Sequence, residues 1–259
     1  MKLTKNWIVG FVDGEGHFGV RKTHDNTDLF YFGVSQDKLS VSVLYAIKAF
    51  FKCGTVQKIG GNRMEYKVSS KTHLINIIIP FFEKNPLKTK KQASFYSMTQ
   101  KCFDSLQLNR ALNLNEQKDP LNSDWLIGFI DAEASFVCSL VDNQFMAQMV
   151  MHLTSADSTI LDSIQEYLGY GIRYNLKDNT ELFQLSSQKD NYAFVTNYIL
   201  TKGSKDRLRT QKRIEARRWS KLVFFLQTEE HHTQEGWYKA HTKYVNFKYS
   251  LKRKKNQNK

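Results

Sequence analysis

The chain has 259 residues, of which 41% are hydrophobic, and a formal net charge of +13. This length suits one large domain or two halves of roughly 120 residues, and the basic charge indicates a polyanionic partner: nucleic acid first, an anionic membrane surface second. Three widely spaced cysteines and the lack of a long apolar run argue against a disulfide scaffold, a zinc site and a membrane-spanning protein.

The first predicted element is a helix over 4–14, which contains most of the segment WIVGFVDGEG (7–16). A near copy, WLIGFIDAEA, occurs at 125–134, and the similarity extends through the paired segments YKVSS and FQLSS to LKTKK and LRTQK. An internal repeat of this length predicts two equivalent halves. We place them at 1–118 and 119–259, joined by the polar linker 113–123.

The remaining elements of the first half follow in a clear order. The pattern predicts strands at 17–24 and 29–36, a helix over 37–51, a hairpin over 54–70 that turns at GGN, and helices over 71–82 and 87–103. The second half repeats this order and adds a longer tail, which we expect to pack on the body through Trp237. The predicted fold class is therefore α+β, with two αββαββα halves.

The small residues of the repeated segment predict close helix packing. Gly10 and Gly14 share one helix face, as do Gly128 and Ala132. Glycine inside a helix costs up to about 1 kcal/mol relative to alanine, and close backbone approach offsets that cost. We therefore expect the two helices to pack against each other around a pseudo-twofold axis.

Each copy ends in an acid, Glu15 or Glu133. Two carboxylates at the negative ends of neighbouring helices are electrostatically unfavourable without a counter-charge. A bound divalent cation such as Mg²⁺ offsets this repulsion. A basic protein with paired acids therefore suggests metal-dependent phosphodiester hydrolysis. The alternative is that both acids are solvated helix ends. We interpret Asp13 and Asp131 as structural residues.

With these residues, the chain resembles a single-chain, two-repeat LAGLIDADG homing endonuclease over about 1–225, because IVGFVDGEG and LIGFIDAEA are similar to the family signature. The resemblance implies a monomer in which a curved antiparallel sheet from each half binds the major groove of a double-stranded DNA target of about two helical turns. It implies a Mg²⁺-dependent double-strand break with short 3′ overhangs. One departure is Ala134, which replaces the last glycine of the signature.

The resemblance also assigns the site residues. Glu15 and Glu133 are expected to bind metal, assisted by the carbonyls of Gly14 and Ala132. Mn²⁺ or Ca²⁺ can occupy the same sites, with Ca²⁺ expected to be non-productive. Lys91, Lys212 and Lys90 are candidates for a basic catalytic pocket; the alternative is that they are surface lysines contacting phosphate.

Candidate DNA-binding residues lie on or beside the predicted strands, where alternation is expected to turn about half of them away from DNA. They are Arg21, Lys22, His24, Tyr31, Gln36, Gln57, Lys58, Arg63, Lys67, Gln144, Gln148, His152, Arg173, Lys177 and Gln184. The basic run 202–221 and the tail end 251–259 are expected to contact phosphates; for the run, a solvated helix face is the alternative.

Two other functions remain as alternatives. Relatives of the family include maturases that assist splicing of group I intron RNA, and one chain can have both activities. The retained Glu15 and Glu133 favour the nuclease. A third hypothesis is a sequence-specific DNA-binding protein that does not cleave. No transit peptide is apparent, which fits expression inside a mitochondrion or chloroplast; a microbial cytoplasm is the alternative, and no membrane role is expected.

Overall fold

A computed structural model describes residues 2–112, 120–200 and 207–257, with the backbone alone for 251–257. It divides into two compact units, Met1–Ala132 and Glu133–Lys259. Most of the predicted linker, 113–119, lies outside the described residues.

The first unit follows the predicted order of elements, with four strands and the helices that cover them. In chain order these are α1 (Lys5–Glu15), β1 (Gly16–Lys22), β2 (Asp28–Asp37), α2 (Val41–Phe51), β3 (Thr55–Gly60), β4 (Arg63–Val68), α3 (Lys71–His73), α4 (Ile79–Lys84), α5 (Lys91–Ser105) and α6 (Ser123–Glu133, whose last residue begins the second unit). A short 3₁₀ turn, Lys38–Ser40, precedes α2, and a π-helical turn, Leu74–Ile78, joins α3 to α4.

The second unit repeats this order and extends it. Its elements are β5 (Ser135–Val141), β6 (Gln144–Thr154), α7 (Ser158–Leu168), β7 (Ile172–Asn175), β8 (Thr180–Leu185), α8 (Gln188–Phe194), α9 (Lys212–Leu226) and α10 (Gln234–Gln257). A π-helical turn, Val195–Ile199, follows α8. The α+β fold class predicted from the duplication is confirmed.

Each unit contains one antiparallel four-stranded sheet. The strand orders are β1-β2-β4-β3 and β5-β6-β8-β7, so the sheets are equivalent strand for strand. Helices pack on one face of each sheet. In the first, Phe18 and Phe32 contact Phe82 of α4; in the second, Phe136 contacts Trp219 of α9. These contacts define the inner face of each sheet, and the opposite side is its outer face.

The α6 helix belongs by sequence to the second repeat but packs in the first unit. An added Cβ atom at Gly10 would lie 2.0 Å from the Trp125 carbonyl oxygen, and one at Gly128 would lie 2.1 Å from the Trp7 carbonyl oxygen. The two helices therefore cross at a contact that only glycine permits, as the spacing predicts. The two compact units therefore divide between residues 132 and 133. The boundary between the two sequence repeats, placed between residues 118 and 119, stays a prediction.

The C-terminal helix α10 packs on the second unit, as the aromatic tail predicts. Trp237 contacts Phe145 of β6, with ring centroids 5.6 Å apart, and stacks on His241 at 5.0 Å. Ala240 and Phe247 on the same helix are fully buried. The backbone of 251–257 continues α10, while residues 258–259 lie outside the described residues. Across the described chain, each helix is too short or too polar to cross a membrane.

All three cysteines are free and buried, where each packs as a small apolar side chain. Burial raises the pKa of the Cys53 and Cys102 thiols and raises that of Cys138 to about 12. Because the thiolate is the reactive form, we expect none of the three to react with a thiol reagent at pH 8 in the folded protein. Titration should detect all three after denaturation. Rapid labelling of one thiol before unfolding would contradict this prediction.

Candidate functional site

The α1 helix positions the first acidic candidate at its last residue. Thr4 caps the helix, its hydroxyl accepting from the Trp7 amide at 3.2 Å. Glu15 ends α1, and the chain enters β1 directly at Gly16. Glu133 ends α6 in the same way, and β5 begins two residues later. Both acids are half-buried at the carboxyl end of a helix, in the place that the repeated segment predicts.

Asp13 ties α1 to the start of α5. Its buried carboxylate accepts from the Lys88 amide at 2.9 Å, the Thr89 amide at 3.0 Å and the Thr89 hydroxyl at 2.9 Å. The Trp125 indole donates to it at 2.8 Å. Burial raises the pKa of Asp13 to about 6, while these hydrogen bonds act in the opposite direction. The structural interpretation of Asp13 is therefore confirmed, and its contacts fix the turn that carries the candidate lysines.

The predicted equivalence of Lys91 and Lys212 appears as identical local structure. Lys91 is the first residue of α5 and Lys212 the first residue of α9. The Lys91 amide donates to the Thr89 hydroxyl at 3.4 Å, and the Lys212 amide donates to the Thr210 hydroxyl at 3.1 Å. Lys90 immediately precedes Lys91, where the second unit has Gln211.

The end of α1 offers oxygen atoms suited to a hard cation. The Gly14 carbonyl accepts a hydrogen bond from the Lys91 ammonium, so this helix end already interacts with one positive group. The Glu15 carboxylate follows in the next residue. Within the three described segments, no group of three or more His, Cys, Asp or Glu residues could hold a metal ion. A carboxylate and a carbonyl fit Mg²⁺, which usually takes few protein ligands and keeps water or phosphate oxygens.

The outer face of the first sheet is polar and charged. Cross-strand partners share a face, and the pairings of His17 with Gly33 and of Gly33 with Lys67 set its register. The face carries His17, Gly19, Arg21, Leu29, Tyr31, Gly33, Ser35, Asp37, Thr55, Gln57, Arg63, Glu65 and Lys67. Several of these side chains are held by their neighbours. Glu65 accepts from Gln57 at 3.4 Å and lies 2.9 Å from the His17 ring nitrogen, and the Lys67 ammonium lies 4.5 Å from the centre of the Tyr31 ring.

The outer face of the second sheet has a different chemistry. It carries Ser135, Val137, Ser139, Val141, Gln144, Met146, Gln148, Val150, His152, Thr154, Ile172, Tyr174, Thr180, Leu182 and Gln184. Among these described strand residues there is no Lys, Arg, Asp or Glu. Four of the apolar side chains are strongly exposed: Val141 (51%), Ile172 (47%), Tyr174 (43%) and Met146 (39%).

The registers sort the predicted DNA-binding residues by face. The outer faces include Arg21, Tyr31, Gln57, Arg63, Lys67, Gln144, Gln148, His152 and Gln184. His24 and Lys177 lie in turns beside the strands. Alternation places the others on inner faces, as expected for part of the set: Lys22, Gln36, Lys58 and Arg173.

Two inner-face residues form ion pairs within the protein. Arg173 forms ion pairs with Asp162 of α7 and Glu181 of β8, so it joins a helix to the sheet. Lys22 forms an ion pair with Asp28 at 2.8 Å. Arg173 is thus engaged within the protein, while contact of Lys22 with DNA stays a prediction. Conversely, the prediction omitted His17, which lies on the outer face. Because His17 directly precedes the core residue Phe18 on a strand, alternation predicts that its side chain lies on the opposite face.

The basic run is only partly described, since 202–206 lie outside the described residues. The rest includes the start of α9, where Arg213 and Arg217 are exposed while Ala216 and Trp219 are buried. The helix therefore packs one side on the sheet and presents basic residues on another. This geometry is compatible with phosphate contact and with a solvated helix face.

Comparison with known proteins identifies a family. The family model described as LAGLIDADG endonuclease matches residues 8–102 and 126–223. Probable intron-encoded endonuclease 4 of Neurospora crassa is 26% identical over 240 residues, covering 90% of this chain and 42% of that protein. Probable intron-encoded endonuclease Cox1-I1b of Schizosaccharomyces pombe is 28% identical over 228 residues, covering 78% and 56%. The chain thus spans about half the length of these relatives.

A solved structure shares the fold. The meganuclease I-SmaMI, bound to uncleavable DNA, superposes with a TM-score of 0.81 at 21% identity, over 95% of this chain and 99% of that one. The same meganuclease is also known bound to an uncleaved DNA target in the presence of calcium ions. At this identity the likeness establishes the fold.

Proposed function

Because this chain belongs to the LAGLIDADG endonuclease family, we propose that it is a monomeric homing endonuclease that makes a double-strand break in one long DNA target. The observation that carries the proposal is the repeated α-helix that ends in an acid and leads directly into a sheet. Both family matches lie in one chain, and each includes one of these acids. One molecule therefore supplies two acids and two sheets, as a target with two strands and two half-sites requires.

The proposed cofactor is Mg²⁺. Its proposed protein ligands are the Gly14 carbonyl and the Glu15 carboxylate at the end of α1, and the Ala132 carbonyl and the Glu133 carboxylate at the end of α6. When bound, the metal would supply a Lewis acid for the scissile phosphate and lower the pKa of a bound water. Mn²⁺ is expected to replace Mg²⁺. Ca²⁺ is expected to support binding without cleavage, and calcium was present with uncleaved DNA in a structure of I-SmaMI.

The lysines at the start of α5 and α9 have a separate role in the proposal. The Asp13 contacts hold the turn before α5, so Lys91 is placed at the carboxyl end of α1. An ammonium there can stabilise charge that develops on a phosphate oxygen during hydrolysis. We propose the same role for Lys212, and an orienting role toward phosphate for Lys90.

Base recognition is proposed for the outer faces of the two sheets. Their side chains stand roughly perpendicular to the sheet, and an antiparallel surface of this kind can contact base edges in a major groove. The exposed lysines and arginines of α9 and the turn residues His24 and Lys177 are proposed to contact phosphates. The +13 charge of the chain favours this partner through counterion release.

Cellular location and RNA binding are secondary proposals. The relatives are named as intron-encoded, which supports expression within the organelle that encodes the chain, a mitochondrion or chloroplast; a microbial cytoplasm is the alternative. A role as a group I intron maturase is not favoured, because the two relatives described above are named as probable endonucleases and both acids are present.

Cleavage of a randomised duplex library tests the function. With Mg²⁺ we expect selection of one long site cut on both strands with short 3′ overhangs, and with Ca²⁺ we expect binding of the same site without cuts. EDTA should abolish cleavage. Selective DNA binding without cleavage under any condition would instead support the non-cleaving DNA-binding protein. Failure to bind DNA, with tight binding of intron RNA, would support the maturase.

A further inference from the structure

The two outer faces differ in a way that the repeat does not predict. The first carries Arg21, Arg63 and Lys67, together with Glu65, whereas the second has no strand residue of these charged types within the described chain. The strands occupy equivalent places in the two sheets. The two repeats therefore share one strand order but differ in the side chains on the outer faces of their sheets.

Each base presents a different edge in the major groove, and each edge suits a different type of side chain. Guanine offers two acceptors that suit Arg or Lys, and cytosine offers a donor that suits Glu or Asp. Thymine offers a C5-methyl group that suits apolar side chains, and adenine presents an edge that suits the amide of Gln. Among the described strand residues of the two outer faces, the charged side chains suited to G·C pairs occur on the first face alone, and the second outer face offers glutamine and apolar side chains, which suit A·T pairs.

Preorganisation on the first face supports this assignment. Glu65 is buried and lies between His17 and Gln57, and the Tyr31 ring supports the Lys67 ammonium. Such contacts fix polar groups before a ligand arrives, which lowers the entropy lost on binding.

The second face combines amide and apolar side chains in alternating positions. Gln144, Met146, Gln148 and Val150 follow one another on the outer side of β6. Tyr174 of β7 pairs with Leu182 of β8. Exposed apolar side chains grouped on one face of a sheet are typical of an interaction surface, and the net charge of +13 favours a polyanion as its occupant.

We propose that the two half-sites differ in base composition: the half-site bound by the second sheet is rich in A·T pairs and recognised largely through thymine methyl groups, while the half-site bound by the first sheet contains the G·C pairs. The inference rests on the proposed endonuclease function and names its substrate more closely.

Modified bases test the inference on the DNA, so the protein need not be altered. Deoxyuridine lacks only the methyl group of thymidine, and 7-deazaguanine lacks only the N7 acceptor of guanine. Binding of the selected site would be measured in Ca²⁺, with each modification placed in one half-site at a time. A buried methyl group contributes about 0.8 kcal/mol, so each deoxyuridine facing the second sheet should weaken binding about fourfold. Each 7-deazaguanine facing the first sheet removes an acceptor for a charged donor and should weaken binding at least about tenfold.

Two variants assign the half-sites to the sheets. Arg21→Ala should relax base preference only in the half-site sensitive to 7-deazaguanine, and Gln148→Ala only in the half-site sensitive to deoxyuridine. Lys101→Ala removes an exposed charge from α5, on the inner side of the first sheet, and should leave base preference unchanged in both.

The outcomes separate this inference from the proposed function. Equal or reversed effects of the modified bases in the two half-sites would overturn the asymmetry while leaving the endonuclease in place. If the library yields no selected site, the proposed function itself fails. If Arg21→Ala relaxes the deoxyuridine-sensitive half-site, the assignment of sheets to half-sites is wrong.

Discussion

Glu15→Gln and Glu133→Gln are each expected to reduce double-strand cleavage in Mg²⁺ by about a thousandfold or more. Glutamine keeps the size of the side chain but removes the charge that holds a divalent cation. Loss of metal assistance to hydrolysis corresponds to several kcal/mol of transition-state stabilisation, and about 4 kcal/mol equals a factor of a thousand. The measurement is the single-turnover rate on the selected duplex, with binding followed separately by fluorescence anisotropy.

The control for these variants is Glu166→Gln, the same substitution at an exposed position of α7. It should cleave at the wild-type rate. The Glu15 and Glu133 variants should still unfold at nearly the wild-type temperature and bind the target. Wild-type cleavage by either of them would show that its carboxylate is a solvated helix end, the alternative that spacing alone leaves open.

Gly10→Ala and Gly128→Ala are each expected to destabilise the protein by about 3 kcal/mol or more. The new Cβ atom would lie 2.0 or 2.1 Å from a backbone carbonyl oxygen of the facing helix. Backbone cannot rotate away as a side chain can, so α1 and α6 must separate. Overpacking typically costs about 1–3 kcal/mol, and a backbone clash places these variants at or above that limit. A melting temperature lower by roughly 6–12 °C should follow for a chain of this size.

A control substitution at another glycine separates the effect of a steric clash from the effect of replacing glycine by alanine in open space. Gly169 follows α7 with a positive φ of 76°, and no atom lies within 4 Å of its added Cβ position. Gly169→Ala should therefore cost only about 1 kcal/mol, from backbone conformation. If Gly10→Ala melts no lower than Gly169→Ala, the close helix contact is not a major source of stability.

The sequence predicted the elements well because their signals are local and were present twice. The alternation of strands, the amphipathic α2 and the glycine-containing hairpin each appear in the structure within a few residues. The helix predicted over 37–51 starts differently from the prediction, because the Asp37 side chain accepts from the Leu39 amide at 2.8 Å. That hydrogen bond caps a 3₁₀ turn, and α2 itself begins later, at Val41.

Features that depend on register were harder to predict. A single strand shows which residues alternate, but only pairing with its neighbours shows which set lies opposite the helices. Arg173 was chosen for its charge, yet it lies on the inner face between Asp162 and Glu181. The Asp13 contact with the Trp125 indole joins residues that are 112 positions apart, and no local pattern indicates such a partner.

The packing of α6 in the first unit has a consequence for how such chains can recombine. A fragment that ends at the sequence boundary of the first repeat would lack the helix that contacts Gly10 and donates to Asp13. Exchange of halves between relatives at that boundary would pack α1 of one parent against α6 of the other. Chimeric proteins should therefore be made with a crossover after Ala132, so that both helices come from one parent. Natural recombinants that survive selection should show the same preference.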